Sequence, residues 1–427
     1  MKKKLWMTFG PVLVAGLVFL FILFGPSALF NGVSNKTIEK SATSMNEGVI
    51  QGQLIQDDAF SKKEYLPIFG SSELSRIDMF HPSVYSQKYN KGYTPFLIGR
   101  AGTQSLTHYL NINSLGTQLK GKKVVFILSP QWFQPKGVNA GHFGINFSPL
   151  QAYKFALEDK KETPERRYAA RRLLQYKVVQ NDTTLKSLLE NIATPGPNKP
   201  NDETFTRLSA KFQYAILTRK DELESKFVTG SREEMVENGI KNLPGNLSYE
   251  KLDQLAIEAG KANTGNNEFN IKQKYYDKKI KPIYDKLTDS RRSLSYAQSP
   301  EYADLQLVMD AFKQAGADVL FVNPPINGKW IDFIGMNRKE LSLYYQKTQA
   351  MVEQNGFKYV SLEKFTDDPY FLEDPIHLSW RGWVQIDKAI DQFRQTKKPA
   401  FYPPTPKEFY LSQAPLKDNK GKLEKKN

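Results

Sequence analysis

Short apolar runs alternate with longer amphipathic segments along this chain, and this alternation constrains its fold more than any other feature. The clearest run, Val124–Leu128, is a continuous apolar stretch closed by Ser129-Pro130, which is typical of a strand buried on both faces. Four further strands are predicted on similar grounds, at 65–69, 96–98, 319–322 and 359–362. Strands that alternate with helices predict an α/β fold in which helices cover both faces of a central parallel sheet.

Composition supports a globular protein with an anionic partner. The chain has 427 residues, of which 40% are hydrophobic and 25% charged, and its net charge is +15. Such a charge favours membrane lipid, nucleic acid or an acidic polymer. Because no nucleic-acid module is recognisable, we expect lipid or an acidic polymer and no nucleic acid. Cysteine is absent, so disulfides and thiolate chemistry are excluded.

The N-terminus predicts a membrane anchor. No charged residue occurs between Leu5 and Phe30, and Lys2-Lys3-Lys4 stands immediately in front. A helix of this length can cross a hydrocarbon core about 30 Å thick. A cleaved signal peptide is the alternative, although its apolar region is usually shorter, about 7–15 residues. Because the first residues are purely basic, we expect a single-pass protein of the cell membrane with a cytoplasmic N-terminus and an extracytoplasmic body.

The composition changes along the chain and suggests five parts. Residues 148–300 interrupt the strand–helix alternation, because this segment has many helix formers but no strong strand runs. The predicted parts are a cytoplasmic stub with the anchor (1–33), a polar extracytoplasmic stalk (34–64), a sheet-bearing domain in two pieces (65–147 and 301–397), a helical insertion (148–300) and a tail rich in proline and lysine (398–427).

Small polar clusters follow several of the predicted strands, at 70–72, 99–103 and 129–132, and a loop with Asp374 and His377 follows the last strand. In parallel sheets, ligands bind beyond the carboxyl ends of the strands, so these segments are expected to converge. Ser72 would then be a nucleophile, His377 its base and Asp374 the group that orients the imidazole. The competing interpretation is that Ser71 or Ser72 simply caps a helix, and Ser71 as nucleophile is a minor alternative.

An oxyanion hole is predicted beside this triad. The candidate donors are the backbone N–H groups of Ser72 and Gly102 and the side-chain N–H of Gln131. The competing interpretation is that Gly102 is simply a turn glycine and Gln131 an ordinary loop amide. Trp132, Phe133 and Trp380 could line an acceptor site or simply pack in the core. We expect no metal and no cofactor, because the other histidines are scattered without paired spacing: His81, His108 and His142.

These segments resemble known families. Gly70-Ser71-Ser72, Gly102-Thr103, Ser129-Pro130-Gln131 and Asp374-x-x-His377 fall in the order of the four blocks of SGNH (GDSL-like) hydrolases and acyltransferases. The resemblance implies a flavodoxin-like three-layer sandwich. Two positions depart from that pattern, because Ser71 stands where Asp usually precedes the nucleophile and Gln131 stands where Asn is usual.

The longer segments Phe69–Leu74, Ser129–Phe133 and Asp374–Trp380, behind a single N-terminal anchor, more closely resemble the DltD family of Gram-positive bacteria. That resemblance implies D-alanyl ester transfer to lipoteichoic acid outside the cytoplasmic membrane. It also implies a membrane-embedded acyltransferase of the MBOAT type and the D-alanyl carrier protein as pathway partners. Two alternatives remain, an esterase or thioesterase that uses water as acceptor, and a non-catalytic scaffold that binds the carrier or the polymer.

Overall fold

The computed structural model describes residues 2–26, 29–30, 32–159 and 162–412. Part of the predicted C-terminal tail, residues 413–427, and a few positions of the predicted anchor segment lie outside the described residues. Within the described residues, one parallel sheet has the strand order β2-β1-β3-β4-β5. Its strands are β1 Tyr65–Phe69, β2 Thr94–Ile98, β3 Lys123–Ile127, β4 Asp318–Asn323 and β5 Lys358–Ser361. The predicted α/β class and central parallel sheet are confirmed.

Helices connect and surround these strands. Short 3₁₀ turns follow β1 at Ser72–Ser75 and β3 at Pro130–Phe133. The α-helices are α1 Lys2–Phe24, α2 Asn35–Ser41, α3 Glu47–Gln51, α4 Leu54–Ser61, α5 Pro82–Lys88, α6 Ser105–Leu115, α7 Ala140–Asn146, α8 Pro149–Leu157, α9 Pro164–Leu173, α10 Lys177–Gln180, α11 Thr183–Ala193, α12 Glu203–Glu224, α13 Glu233–Asn242, α14 Tyr249–Thr264, α15 Gln273–Tyr275, α16 Tyr284–Leu287, α17 Glu301–Ala315, α18 Gly328–Phe333, α19 Arg338–Gln354, α20 Arg381–Gln395 and α21 Lys407–Leu411.

The sheet divides the interior into two hydrophobic cores. Successive side chains of a strand point to opposite faces, and the buried residues follow that rule. Phe126 of β3 packs with α6 and α17 on one face, whereas Val125 and Ile127 pack with α5 and α20 on the other. Both faces of the strands are therefore apolar, which explains why the strand runs are continuous rather than alternating.

The N-terminal apolar run forms helix α1, and its apolar side chains from Trp6 to Phe21 are exposed. Within the described residues, no helix combines the length and the apolar character needed to cross a membrane. The membrane anchor stays a prediction.

The segment from 34 to 64 differs from the predicted stalk. It forms α2, α3 and α4, and Ile38, Ile50 and Phe60 are buried in the same core as Phe126. The backbone N–H of Leu97 in β2 also donates to the carbonyl of Ala42. Polar residues dominate this segment, but the few apolar ones face the sheet, so the segment is part of the folded body.

The helices between 148 and 300 pack on both faces of the sheet. Leu185 and Leu189 of α11 are buried in the core with α6 and α17, whereas Leu252 and Ala256 of α14 are buried in the core with α5 and α20. The described part of the C-terminal tail is also attached, because the Tyr410 hydroxyl donates to Asp310 Oδ2 at 2.7 Å. The boundaries drawn from the sequence stay predictions.

Candidate active site

Strand β1 lies at the point where the chain reverses its direction across the sheet. The chain goes from β1 to β2 on one side and then crosses to β3 on the other side. In open α/β sheets, the crevice at the carboxyl end of such a switch point is where ligands bind. Ser72 comes three residues after the end of β1, at the start of a 3₁₀ turn.

The turn between β1 and Ser72 is held by buried polar groups. The backbone N–H of Ser71 donates to Glu73 Oε1 at 2.6 Å, and the Gly70 carbonyl lies 2.9 Å from His108 Nε2. Burial lowers the pKa of His108 to about 3, so its imidazole is neutral and the Nε2–H donates to Gly70. Burial also raises the pKa of Glu73. This support fixes the backbone from which Ser72 projects.

The structure brings the three predicted triad residues together. Ser72 Oγ lies 2.7 Å from His377 Nε2, and His377 Nδ1 lies 2.6 Å from Asp374 Oδ2. Asp374 is fully buried, His377 is nearly buried, and Ser72 is partly exposed. The row therefore runs from a solvent-accessible hydroxyl to an enclosed carboxylate.

The charge of Asp374 sets the direction of these hydrogen bonds. Burial raises the pKa of Asp374, but the hydrogen bond and charge of His377 and the backbone N–H groups of Ile376 and His377 outweigh it, so the pKa is lowered overall. An ionised carboxylate only accepts hydrogen bonds. The proton of His377 is therefore on Nδ1, which leaves Nε2 free to accept the hydroxyl proton of Ser72.

A tight loop presents Asp374 and His377. Leu372 and Leu378 form an antiparallel bridge, and the Glu373 backbone N–H donates to the His377 carbonyl at 3.0 Å. The backbone N–H of Asn327, which follows β4, donates to the Pro375 carbonyl at 2.9 Å. The carboxyl end of β4 thus holds the loop opposite Ser72.

Sequence reasoning missed the charged residues that tie this loop to the nucleophile turn. Arg76 follows the 3₁₀ turn of Ser72, and its guanidinium lies 3.2 Å from Glu373 and 3.7 Å from Asp374. Lys272, from the predicted insertion, also pairs with Glu373. An arginine four residues after Ser72 carries no local signal of this role, because its partners are distant in the sequence.

Asp78 is a second residue that was missed. Its Oδ2 accepts hydrogen bonds from Ser379 Oγ and from the backbone N–H of Trp380, both at 2.7 Å. Trp380 has a φ of 39°, a left-handed conformation that is uncommon for a non-glycine residue. Asp78 therefore stabilises the strained backbone directly after the His377 loop. Helix α20 begins directly after this backbone, at Arg381.

The remaining predicted residues have other contacts. The Ser71 hydroxyl donates to the Arg100 carbonyl at 3.3 Å, so Ser72 alone of this pair meets His377. Gly102 has a φ of 82° and lies so close to His142 that a Cβ would approach its ring within 2.7 Å. Gln131 Oε1 is buried without a hydrogen-bond partner among the described residues. The oxyanion roles of Ser72, Gly102 and Gln131 stay predictions.

Two of the aromatic residues considered for an acceptor site are core residues. Trp132 is buried against Phe126 and His108, and Phe133 is buried against Tyr302 and Tyr344. Their rings are fully enclosed, so the hypothesis that they line an acceptor site is wrong.

A serine, a histidine and an aspartate in one hydrogen-bonded row at the carboxyl edge of a parallel sheet form the arrangement that serine hydrolases and acyltransferases use. The chain belongs to the DltD family, whose model, described as DltD protein, matches residues 42–395.

Curated relatives match along nearly the whole chain. Protein DltD of Bacillus subtilis (strain 168) is 39% identical over 93% of this chain and 99% of the relative. Protein DltD of Lacticaseibacillus rhamnosus is 39% identical over 93% of each chain. Protein DltD of Staphylococcus aureus (strain NCTC 8325 / PS 47) is 34% identical over 90% of this chain and 94% of the relative.

Proposed function

We propose that this chain is an extracytoplasmic serine acyltransferase of the SGNH type that transfers D-alanyl esters during the D-alanylation of lipoteichoic acid. The observation that carries the proposal is the row Ser72–His377–Asp374, with distances of 2.7 and 2.6 Å. Membership of the DltD family supports the choice of pathway.

In the first half-reaction, Ser72 Oγ attacks the carbonyl carbon of a D-alanyl donor while His377 Nε2 takes the hydroxyl proton. Asp374 stabilises the imidazolium that forms. When the tetrahedral intermediate collapses, the bond to the donor breaks, the leaving group receives the proton from His377, and a D-alanyl ester remains on Ser72. In the second half-reaction, a hydroxyl of the polymer loses its proton to His377 and attacks the ester carbonyl carbon. The bond to Ser72 Oγ then breaks, and His377 returns the proton to Ser72.

The negative charge that develops on the carbonyl oxygen needs donors in both half-reactions. The backbone N–H groups of Ser72 and Gly102 and the side chain of Gln131 are our candidates. Gly102 has a positive φ, and the His142 ring fills the side where a Cβ would stand, so its contribution to the oxyanion would be the backbone N–H. Gln131 is half-buried, and its Oε1 has no hydrogen-bond partner among the described residues.

The acceptor we propose is the polyglycerol phosphate chain of lipoteichoic acid. The phosphodiesters of this polymer are anionic, and the protein has a net charge of +15. We further propose that the N-terminal apolar run holds the body at the outer face of the cell membrane, with the MBOAT-type acyltransferase and the D-alanyl carrier protein pathway supplying the donor.

Replacement of Ser72 by alanine tests the proposal. Cells that carry Ser72→Ala should lose D-alanine esters from lipoteichoic acid, because the attacking hydroxyl is gone, while the abundance of the protein stays unchanged. Ser71→Ala is the matched control, since the Ser71 hydroxyl contacts Arg100 and not His377. Ester content is measured as D-alanine released by mild base. A normal content with Ser72→Ala would exclude the acyl-enzyme and favour a scaffold.

A further inference from the structure

Helix α12 carries an apolar stripe on its solvent-exposed face. Phe205, Leu208 and Phe212 are exposed by 71, 67 and 52%, and Ile216, which is partly exposed, continues the line. With 3.6 residues per turn, these four positions fall within an arc of roughly 80°. The opposite face of the helix carries Thr206 and Ala210, which are buried against the body. The stripe therefore lies opposite the buried side of the helix, and Phe205 and Leu208 are its most exposed residues.

Cations border the stripe on both sides. Lys211 lies on one flank and Lys220 on the other, and both are exposed. Lys226, just beyond the helix, is exposed as well. Lysine side chains with apolar stems and charged tips suit the boundary between lipid acyl chains and head groups. A helix with an apolar stripe between lysines has the pattern of an interfacial helix that binds anionic lipid.

The stripe is continuous with the chain that follows α1. Arg219, on the same face as Phe212, donates to the Gly25 carbonyl at 2.5 Å, and its guanidinium lies 4.1 Å from the centre of the Phe30 ring. Phe30 in turn packs against Phe21 of α1 at 6.5 Å. The exposed apolar side chains of α1 and the stripe on α12 thus form one surface.

We propose that the stripe Phe205–Leu208–Phe212 lies in the interface of a bilayer with anionic lipids, parallel to its plane. A bilayer explains three features together: the shared surface with α1, the width of the stripe and the lysines on both flanks. Contact at α12 as well as at the N-terminus would fix the orientation of the body on the membrane, and hence the direction in which Ser72 faces. The proposal rests on the proposed membrane location but not on the proposed chemistry.

The test uses single cysteine labels in the full chain, which has no cysteine of its own. Leu208→Cys is labelled with an environment-sensitive fluorophore, and the protein is reconstituted into phosphatidylglycerol vesicles. Gln213→Cys is the matched control, because it is exposed on the same helix about 100° away from the stripe. Both substitutions replace exposed side chains, so the fold should be retained.

We expect the Leu208→Cys label to shift its emission to shorter wavelength and to be quenched by lipids with a nitroxide on the acyl chain, whereas the Gln213→Cys label does neither. The effect should be weaker in phosphatidylcholine vesicles and in Lys211→Glu/Lys220→Glu. Equal aqueous exposure of both labels on vesicle-bound protein would overturn the proposal for α12 alone. Protein that does not bind vesicles would overturn the membrane location too, and a label shielded only after another membrane protein is added would assign the stripe to a protein partner.

Discussion

The Asp374 carboxylate has two tasks that its two oxygens divide between them. Oδ1 accepts the backbone N–H groups of Ile376 and His377, at 3.0 and 2.9 Å, and so shapes the loop. Oδ2 accepts the Nδ1–H of His377 and so sets the tautomer. Asp-x-x-His spacing allows both, because one turn of backbone brings the carboxylate to the ring that it orients.

Asparagine at position 374 separates these tasks. In Asp374→Asn, the amide oxygen can keep the backbone contacts, but the amide N–H₂ then faces His377 Nδ1 and favours the tautomer with the proton on Nε2. That tautomer cannot take a proton from Ser72, so we expect the turnover of D-alanyl transfer to fall by roughly 10³- to 10⁴-fold. The measurement is initial rate in membranes with equal amounts of protein.

Glu373→Gln is the control for this prediction, because Glu373 is the neighbouring acid and pairs with Arg76 and Lys272 rather than with the imidazole. We expect its rate to change far less. Similar losses in the two variants would mean that the charge of the loop, and not the tautomer of His377, determines the transfer rate.

At the scale of elements, the site depends on the close approach of the backbones that follow β1 and β2. Gly99 follows β2 with a φ of 136°, and a Cβ there would come within 1.9 Å of the Gly70 carbonyl oxygen. The same carbonyl receives the His108 hydrogen bond. Two glycines therefore let the backbones approach where the chain turns into Ser72.

Gly99→Ala should displace the Gly70 turn and destabilise the protein, because neither backbone can move without breaking the sheet edge. We expect a clear loss of thermal stability and of transfer activity. Gly121→Ala is the comparison, since Gly121 also has a positive φ of 73° but no atom lies within 4 Å of its added Cβ. Gly121→Ala should lower the free energy of unfolding only by the backbone strain of a positive φ, about 1–2 kcal/mol. Equal melting temperatures for the two variants would show that the close approach is unimportant.

At the scale of the whole molecule, buried ionisable groups make stability depend on pH. Asp387 of α20 is buried between the sheet and α5, and its Oδ1 has no hydrogen-bond partner among the described residues. Burial, and then the charges of Asp391 and Asp78, raise its pKa well above the usual value, while Lys91 lowers it. An acid with a raised pKa in the folded state stabilises the protein below its unfolded pKa and loses that contribution as pH rises through the folded pKa.

Asp387→Asn should therefore stabilise the protein at neutral and alkaline pH, because the amide cannot ionise. The gain in the free energy of unfolding over the unchanged protein should be absent below pH 3.8. It should grow by up to about 1.4 kcal/mol per pH unit until the pH reaches the pKa of Asp387 in the folded state. Asp391→Asn is the contrast, since Asp391 accepts hydrogen bonds from Tyr85 and Tyr249 and pairs with Lys91, so its loss should destabilise. A pH-independent difference for Asp387→Asn would contradict the argument.

The sequence by itself determined the features whose causes are local. The strand at Val124–Leu128 is a continuous apolar run between turn residues, and the structure has a strand at 123–127. The contact between Asp374 and His377 also follows from their spacing. Apolar runs, turn residues and short spacings act within a few residues, so they predict the strands of the sheet and the Asp374–His377 pair.

Only the tertiary structure decided what joins distant residues. The Ser72–His377 contact spans 305 positions, and nothing local selects Ser72 over Ser71. The buried roles of Phe60 and His108 were likewise hidden, because a polar segment and a scattered histidine give no periodic signal. Burial and pairing of such groups depend on which surfaces the sheet brings together, and those surfaces exist only once the chain has folded.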